Sequence, residues 1–373
     1  MPGATRQLGC RAVSGSPEPG REAAVLERIE AFRRRKPRLR DEVVSLAHGA
    51  GGKASAALIE SVFAPAFGTE GPLEDGAVLD LPGGDRLVMS TDSFVVSPWR
   101  FPGGSIGHLA VHGTVNDLAV MGARPRWLSA AFVIEEGFAV EDLRSVAADM
   151  AGAAAAAGVT VVTGDTKVVG RGSADGVYVT TAGVGLLPAG RRLGAELVRP
   201  GDKVLVSGTL GDHGMAVMLA RGDLALEADL VSDTAPLGGL VEALLQAAPG
   251  TRWLRDPTRG GVATVCNELA RDAGLAVVLD EDALPVRPEV GGACDLLGID
   301  PLYVANEGKA LAVVPPDEAA AALAAWRSAP GGADAAVIGE VMSDPPGVVV
   351  LRTGFGGTRI VDMLVGDPLP RIC

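Results

Sequence analysis

Between Glu42 and about Pro200, four short apolar runs, RLVMS, WLSAAFVI, VTVVTG and GVYVTTAGVG, alternate with two longer stretches at helical spacing, GHLAVHGTVNDLAVMG and EDLRSVAADMAGAAAAAG. Strands of this length bury an apolar face only against neighbours, and helices between them supply the covering layer, so this half of the chain predicts an α/β or α+β domain. The turn signal VRPGDKVLVSG then opens a second series of the same make-up. It runs through a helix after Gly211, a helix around Leu237 to Ala247, the helix GGVATVCNELARDAG, the strands LAVVLD and KALAVVPP, the helix DEAAAALAAWRS and the strand AAVIGEV. A chain of 373 residues also exceeds what one hydrophobic core usually serves, so two domains are expected, over 42–199 and 200–355.

The two ends read differently. Residues 1–41 are rich in Gly, Pro, Ser and Arg, with Val25, Leu26, Ile29 and Phe32 at helical spacing, and are expected to form a mobile extension with one helix. Residues 356–373 are expected to be a mobile tail, because DPLPRIC carries no periodic pattern.

Charge and cysteine usage narrow the function. A net charge of −13 argues against a nucleic-acid surface, which needs clustered cations, and the one basic run, RRRKPRLR, reads as a solvated tail. The four cysteines, Cys10, Cys266, Cys294 and Cys373, show no CxxC spacing, which suggests a reducing compartment. With no secretory leader and no run of about 18 apolar residues, the cytoplasm is expected and a membrane partner is not.

Several stretches carry chemistry. AHGAGGK, with Gly49, Gly51 and Gly52, precedes a helical pattern and reads either as a phosphate cradle or as a plain glycine turn capping a helix. Asp75, Asp92, Asp117 and Asp165 stand at ends of strands and helices, where carboxylates serve as turn residues or converge on magnesium. Asp117 weighs most among them, because with Asn116 it interrupts an apolar helix, and a buried carboxylate needs a partner. In GDTKVV, Thr166 and Lys167 could meet a phosphate, or Lys167 could be an exposed strand residue. RDPTRGG places Arg259 and two glycines ahead of a helix, and ANEGK sets Glu307 beside a strand, as a general base or as a turn glutamate. His108 and His112, four apart, share a helix face as zinc ligands can, but no HExxH or cysteine pair supports them.

Taken with the terminal PRIC, the segments LAHGAGG, STDSFVVSP, FPGG, LAVHGTVNDLAVMGA, VTGDTKVV, SGTLGDHG, DPTRGGV, NELA, LPV and ANEGK follow an order that resembles the hydrogenase-maturation carbamoyl dehydratases, the HypE family, over residues 45–373. The resemblance implies a PurM-like fold, related to aminoimidazole ribonucleotide synthetase, with an N-terminal sheet domain forming a homodimer core and a C-terminal α/β domain. It implies ATP and Mg2+ as cofactors. Asp75, Asp92, Asp117 and Asp165 are then the metal-proximal acids, and Gly49, Gly51, Gly52, Asn116, Thr166 and Lys167 the nucleotide-binding set. Cys373, Glu307 and Asp117 are the catalytic residues. The implied reaction removes water from a carbamoyl group on Cys373, leaving a thiocyanate whose cyanide goes to the iron of [NiFe] hydrogenase. The implied partners are a HypF-like carbamoyltransferase and a HypC–HypD-like iron scaffold. One departure is His108, where the family more often has lysine. The alternatives are another ATP-using enzyme of this fold, selenophosphate synthetase-like or thiamine monophosphate kinase-like, and a non-catalytic carrier in which Cys373 merely holds a group. The terminal cysteine argues against the first, and the glycine loop, the acids and GDTK against the second.

Overall fold

Two sheets, one in each half of the chain, organise the protein. The computed structural model describes residue 39 and residues 41–373, apart from 70, 72, 223–228, 365, 367, 368 and 370. The expected N-terminal extension, its helix and basic run, and Cys10 therefore lie outside the described residues, save for Leu39 and Asp41.

The chain enters through helix α1 (Lys53–Leu58), which continues through a π-helical turn, Ile59–Phe63, into Ala64–Phe67. Strands β1 (Ala77–Asp80) and β2 (Arg86–Phe94) form an antiparallel hairpin, and a ribbon of β3 (Arg100–Phe101) and β4 (Gly104–Ser105) leads into helix α2 (Ile106–Val120). After β5 (Arg124–Glu135) and helix α3 (Val140–Ala157), strands β6 (Thr160–Val169) and β7 (Val177–Leu187) complete a sheet ordered β1-β2-β7-β5-β6. Only β5 and β6 run parallel, as expected for a pair joined by a crossover helix.

Helix α2 is buried at every position except His108 and Asp117. It is apolar all round because it is covered on all sides, by the first sheet, by α3 and by elements of the second half. Ser105 caps it, accepting a hydrogen bond from the Gly107 amide at 3.2 Å.

The second half runs β8 (Lys203–Val206), α4 (Asp212–Ala220), α5 (Gly238–Ala247), β9 (Trp253–Arg255), α6 (Gly261–Ala273), β10 (Ala276–Asp280), α7 (Pro288–Leu297), β11 (Leu311–Val314), α8 (Ala319–Ser328), β12 (Ala336–Met342), β13 (Val348–Arg352) and β14 (Thr358–Val361). Its sheet is ordered β14-β13-β10-β12-β8-β11-β9 and is antiparallel except at β10–β13. Strand β14 corrects one expectation: Thr358–Val361 pairs with β13, so the tail assigned to 356–373 leaves the sheet only after Val361. A core cluster around Phe94, Ile106 and Leu109 reaches across to Met215 and Val304 of the second half and takes in Leu369 and Ile372 of the tail.

Candidate active site

Strand alternation decides which acids meet. On β2, Asp92 pairs in register with Thr181 of β7, whose hydroxyl donates to the Ala110 carbonyl of α2, so Asp92 faces the helix layer. The next residue, Ser93, pairs with Thr180, Thr180 with Ala131, and Ala131 with Asp165, so these four lie on the opposite face. Asp165 and Lys167 thus stand on the exposed side of β6, where they pair with each other at 2.7 Å. Asp165 thus lies outside the acid group that one chain forms by itself, and Thr166, one residue along the same exposed strand, points to the other face from Asp165 and Lys167.

The acid that completes the group is Asp256. One carboxylate oxygen each from Asp75, Asp117 and Asp256 lies within 4.8 Å of the other two, the only such group of three potential metal ligands among the described residues. Asp117 reaches it from α2 and Asp256 from the turn after β9. Burial raises the Asp117 carboxyl well above its ordinary value, with Asp256, Asp75 and Asp92 adding repulsion and a 2.6 Å contact from the Ser90 hydroxyl opposing it. Asp256 is raised in the same way, by burial first and then by Asp75. Asp75 Oδ1 accepts from Arg255 Nη1 at 2.6 Å, whereas Asp75 Oδ2 is buried with no hydrogen-bond partner among the described residues. Three hard oxygen donors, mutual repulsion and an orphaned buried oxygen fit a divalent cation such as magnesium. Asp256 lies inside RDPTRGG, and the signal that could have found it is an acid in an Asp-Pro turn ahead of a glycine-started helix.

Asn116 turns away from this cluster, because one residue along a helix rotates the side chain by about 100°. Its amide donates to the Ala235 and Glu307 carbonyls, at 3.0 and 3.2 Å, and its oxygen accepts from the Leu237 amide at 2.8 Å. Expected in the nucleotide-binding set, Asn116 here uses its polar atoms to join α2 to the second half. Glu307 is buried, and its main-chain amide donates to Asp233 Oδ1 at 3.1 Å, while Asp233 pairs with buried Lys309 at 3.0 Å. Burial raises the Glu307 carboxyl well above its ordinary value, followed by Asp256, Asp92 and Asp233, with Arg259 opposing.

The glycine loop lies over the start of α6. Gly51 has φ +76°, and a Cβ there would come within 2.9 Å of the Arg259 Cβ and carbonyl oxygen. A Cβ on Gly52 would meet the Leu364 carbonyl at 2.3 Å. Both positions therefore need glycine for chain packing. Four of the loop's amides are already engaged, His48 with the Ser45 carbonyl at 3.0 Å, Ala50 with the Ala47 carbonyl at 3.4 Å, Gly51 with Ser55 Oγ at 2.9 Å and Lys53 with the Leu364 carbonyl at 2.9 Å. Gly49 has open space around its Cα and lines a pocket with Ala50, Ser93, Arg259, Gly260 and Cys373. Arg259 donates to the Gly49 carbonyl at 3.3 Å, and the charges of Cys373, Asp92, Glu307 and Asp117 act on it together, Cys373 most strongly, raising its pKa. Thus the loop, the terminal cysteine and the arginine line one pocket, and the arginine there feels the charge of the acids, an arrangement that suits an anionic group.

The histidine pair does not build a zinc site. His112 Nδ1 lies 3.0 Å from Thr234 Oγ1 and His108 Nδ1 3.2 Å from Ser105 Oγ, and burial with the neighbouring His108 holds His112 down at about 4.

Comparison with known proteins gives the family and the fold. The family models for AIR synthase related protein match residues 73–187 (N-terminal domain) and 199–352 (C-terminal domain). A carbamoyl dehydratase HypE from Rhodobacter capsulatus is 58% identical over 339 residues, covering 90% of this chain and 99% of the relative. Among solved structures, that of a HypE–HypF complex superimposes with a TM-score of 0.78 at 49% identity, covering 83% of this chain and all of that one. One of HypE in complex with ATP gives 0.75 at 46% identity, covering 89% and 100%.

Proposed function

This chain belongs to the family of the carbamoyl dehydratase HypE, and from that premise we propose that it uses ATP to dehydrate a carbamoyl group carried on the sulfur of its own Cys373. The observation that carries the reading is the placement of Cys373 in one pocket with Gly49 and Arg259, beside the buried acids. A carbamoyl oxygen is a poor leaving group, so its departure needs phosphorylation, and ATP supplies the phosphoryl group. The thiocarbamate, S–C(=O)–NH2, and ATP then yield a thiocyanate, S–C≡N, with ADP and phosphate; the carbamoyl oxygen leaves on phosphate and the nitrogen gives up two protons.

The chain's own groups divide this work. Asp75, Asp117 and Asp256 would hold the magnesium, which neutralises phosphate charge when bound. Gly49 leaves room for the phosphates, and Arg259 meets the negative charge that develops near Cys373. Glu307, whose raised proton affinity makes it a stronger base than a solvated carboxylate, takes a proton from nitrogen. Asp165 and Lys167 on one face of the exposed strand β6, and Thr166 on its other face, reach a nucleotide only from that exposed strand, which suits a site completed between two copies of the chain.

The cysteine is loaded by a HypF-like carbamoyltransferase, consistent with the HypE–HypF complex of a relative. Cyanide passes to a HypC–HypD-like iron scaffold for the [NiFe] centre, and the work is done in the cytoplasm. Among the described residues no helix is long and apolar enough to cross a membrane.

Mass spectrometry of the C-terminal peptide tests the reaction. After loading with carbamoyl phosphate and ATP by the partner enzyme, Cys373 is expected to gain a carbamoyl adduct that loses one water when ATP and Mg2+ are present. Glu307→Gln should keep the adduct and slow that loss about 100-fold or more. An adduct that persists in the unmodified chain with ATP and Mg2+ sinks the reading, as does hydrogenase assembly supported by Cys373→Ala.

A further inference from the structure

The last three residues are held by their backbone. Their carbonyl oxygens each meet a donor: Arg371 O accepts from the Ser97 amide at 3.2 Å and from Arg221 Nη2 at 2.7 Å, Ile372 O lies 2.6 Å from His213 Nε2, and Cys373 O accepts from the Val95 amide at 3.0 Å. The Val95–Cys373 and Ser97–Arg371 pairs run antiparallel, so the terminus adds a short edge to the segment that follows β2. Leu369 and Ile372 are buried in the shared core, and Arg371, with φ +58°, sends its side chain to the Val95 carbonyl and to Asp175.

We propose that His213 is the positioning residue that docks the substrate-bearing terminus, with Arg221 as its second clamp, and that together they set the register of Cys373 in the pocket. The inference takes its purpose from the proposed dehydration but stands on contacts that need no adduct.

His213 is fully buried on α4. A carbonyl only accepts, so the Nε2 facing Ile372 carries the proton, and Nδ1 accepts from Ser232 Oγ at 2.8 Å. Ser232 Oγ itself accepts from the Thr234 amide at 3.1 Å, which leaves its hydroxyl hydrogen for His213. Burial lowers the ring's pKa, with the Asp233 charge and the Ile372 contact opposing, so the ring is neutral and both nitrogens are satisfied. Phe101 stands edge-on to it at 5.5 Å between centroids and fixes the ring plane. Arg221 spans both partners of the added edge, donating from Nε to Ser97 O at 2.8 Å as well as to Arg371 O. The donors hold three successive carbonyls, and the burial of the Ile372 side chain fixes which carbonyl each donor meets: a slip of one residue would move the sulfur by about 3.3 Å and draw Ile372 out of the shared core.

Carboxypeptidase Y trimming of the full, unmodified chain, followed by intact mass, reads the undocked population, because the protease needs the last residues free. His213→Phe keeps a ring against Phe101 and removes the donor; release of Cys373 and Ile372 should accelerate about tenfold, with the melting temperature lowered by only a few degrees as Ser232 loses its partner. His213→Gln, which restores an N–H at similar reach, should recover most of the protection, a rescue that a merely space-filling role would not show. Trimming of His213→Phe at the wild-type rate overturns the inference. If that variant is unfolded, Arg221→Met carries the same test, and unchanged trimming there overturns it equally. No ATP, carbamoyl group or partner is present, so this outcome is separate from the water-loss experiment: a terminus that docks through His213 but never loses water sinks the reaction alone.

Discussion

Asp256 and Glu268 show what single residues decide. Asp256 makes the acid cluster a three-sided one, and Glu268 lies on α6 behind it, under the field of Arg255 and Asp75. Burial pushes the Glu268 carboxyl up to about 7, against the pull of Arg255, from an ordinary 4.5. A folded-state value above the unfolded one means that the native chain binds more protons than the unfolded chain between those limits, so stability falls as pH rises from about 4.5 to 7. Burial raises Glu307, Asp117 and Asp256 in the same direction. The metal-free protein should therefore melt at a lower temperature at pH 7 than at pH 5. In Glu268→Gln that fall should be smaller by several degrees, since each kcal/mol is worth about 2–4 °C in a chain this large. Thermal melts across the range check it; equal slopes in both proteins would show that Glu268 is not held protonated. At this scale the sequence was informative where a residue broke a pattern, as Asp117 does in an apolar helix. It was silent where a side chain's direction mattered, as for Asn116, whose neighbour in sequence faces the site while it faces the second half.

At the scale of elements, periodic segments were readable and short or glycine-broken ones were not. Helices α2, α3, α6 and α8 carry uninterrupted helical spacing and form where it predicts them. The three-residue β9 and the helix α7, whose PEVGGACDLL dilutes its apolar positions with two glycines, carry no periodic signal of their own. The four residues of β14, exposed or partly exposed along three, show no alternation either; their partner β13 makes them a strand. Helix α8 illustrates how an element is held. Its Trp326 is fully buried against α5 and donates from Nε1 to the Leu240 carbonyl at 3.1 Å. Trp326→Ala removes a large buried side chain and orphans that carbonyl, and should cost about 3–5 kcal/mol in urea or guanidinium unfolding. A loss below about 1 kcal/mol would mean that α8 is not anchored through this residue.

For the whole molecule, the first sheet presents one face to α2 and leaves the other exposed. Met89, Trp127 and Val133 are all more than a third exposed, and β6 is exposed along nearly its whole length, including Val162 at 58%. An apolar sheet face of this extent calls for a cover. The homodimer expected from the family resemblance would provide it and would bring a second copy's exposed Asp165 and Lys167 strand to the junction. Light scattering should give twice the chain mass, and Trp127→Asp combined with Val162→Asp should yield a monomer that keeps its fold but loses at least tenfold in dehydration rate. A monomeric wild-type chain would rule this arrangement out.

The sequence alone determined the class of fold, the two series of strands and helices and the family, because each is written in local periodicity or in short ordered motifs. What only the tertiary structure decided is which of those residues meet. Strand alternation sent Asp165 to the opposite face from Asp92, helix rotation separated Asn116 from Asp117, and the crossing of the two halves brought Asp256 to Asp75 and Asp117. The same crossing set the last three residues, which have no periodic pattern, as an edge under His213 and Arg221. A terminus of this kind has no local preference to display; its place is set by donors that lie more than 140 residues away in the chain.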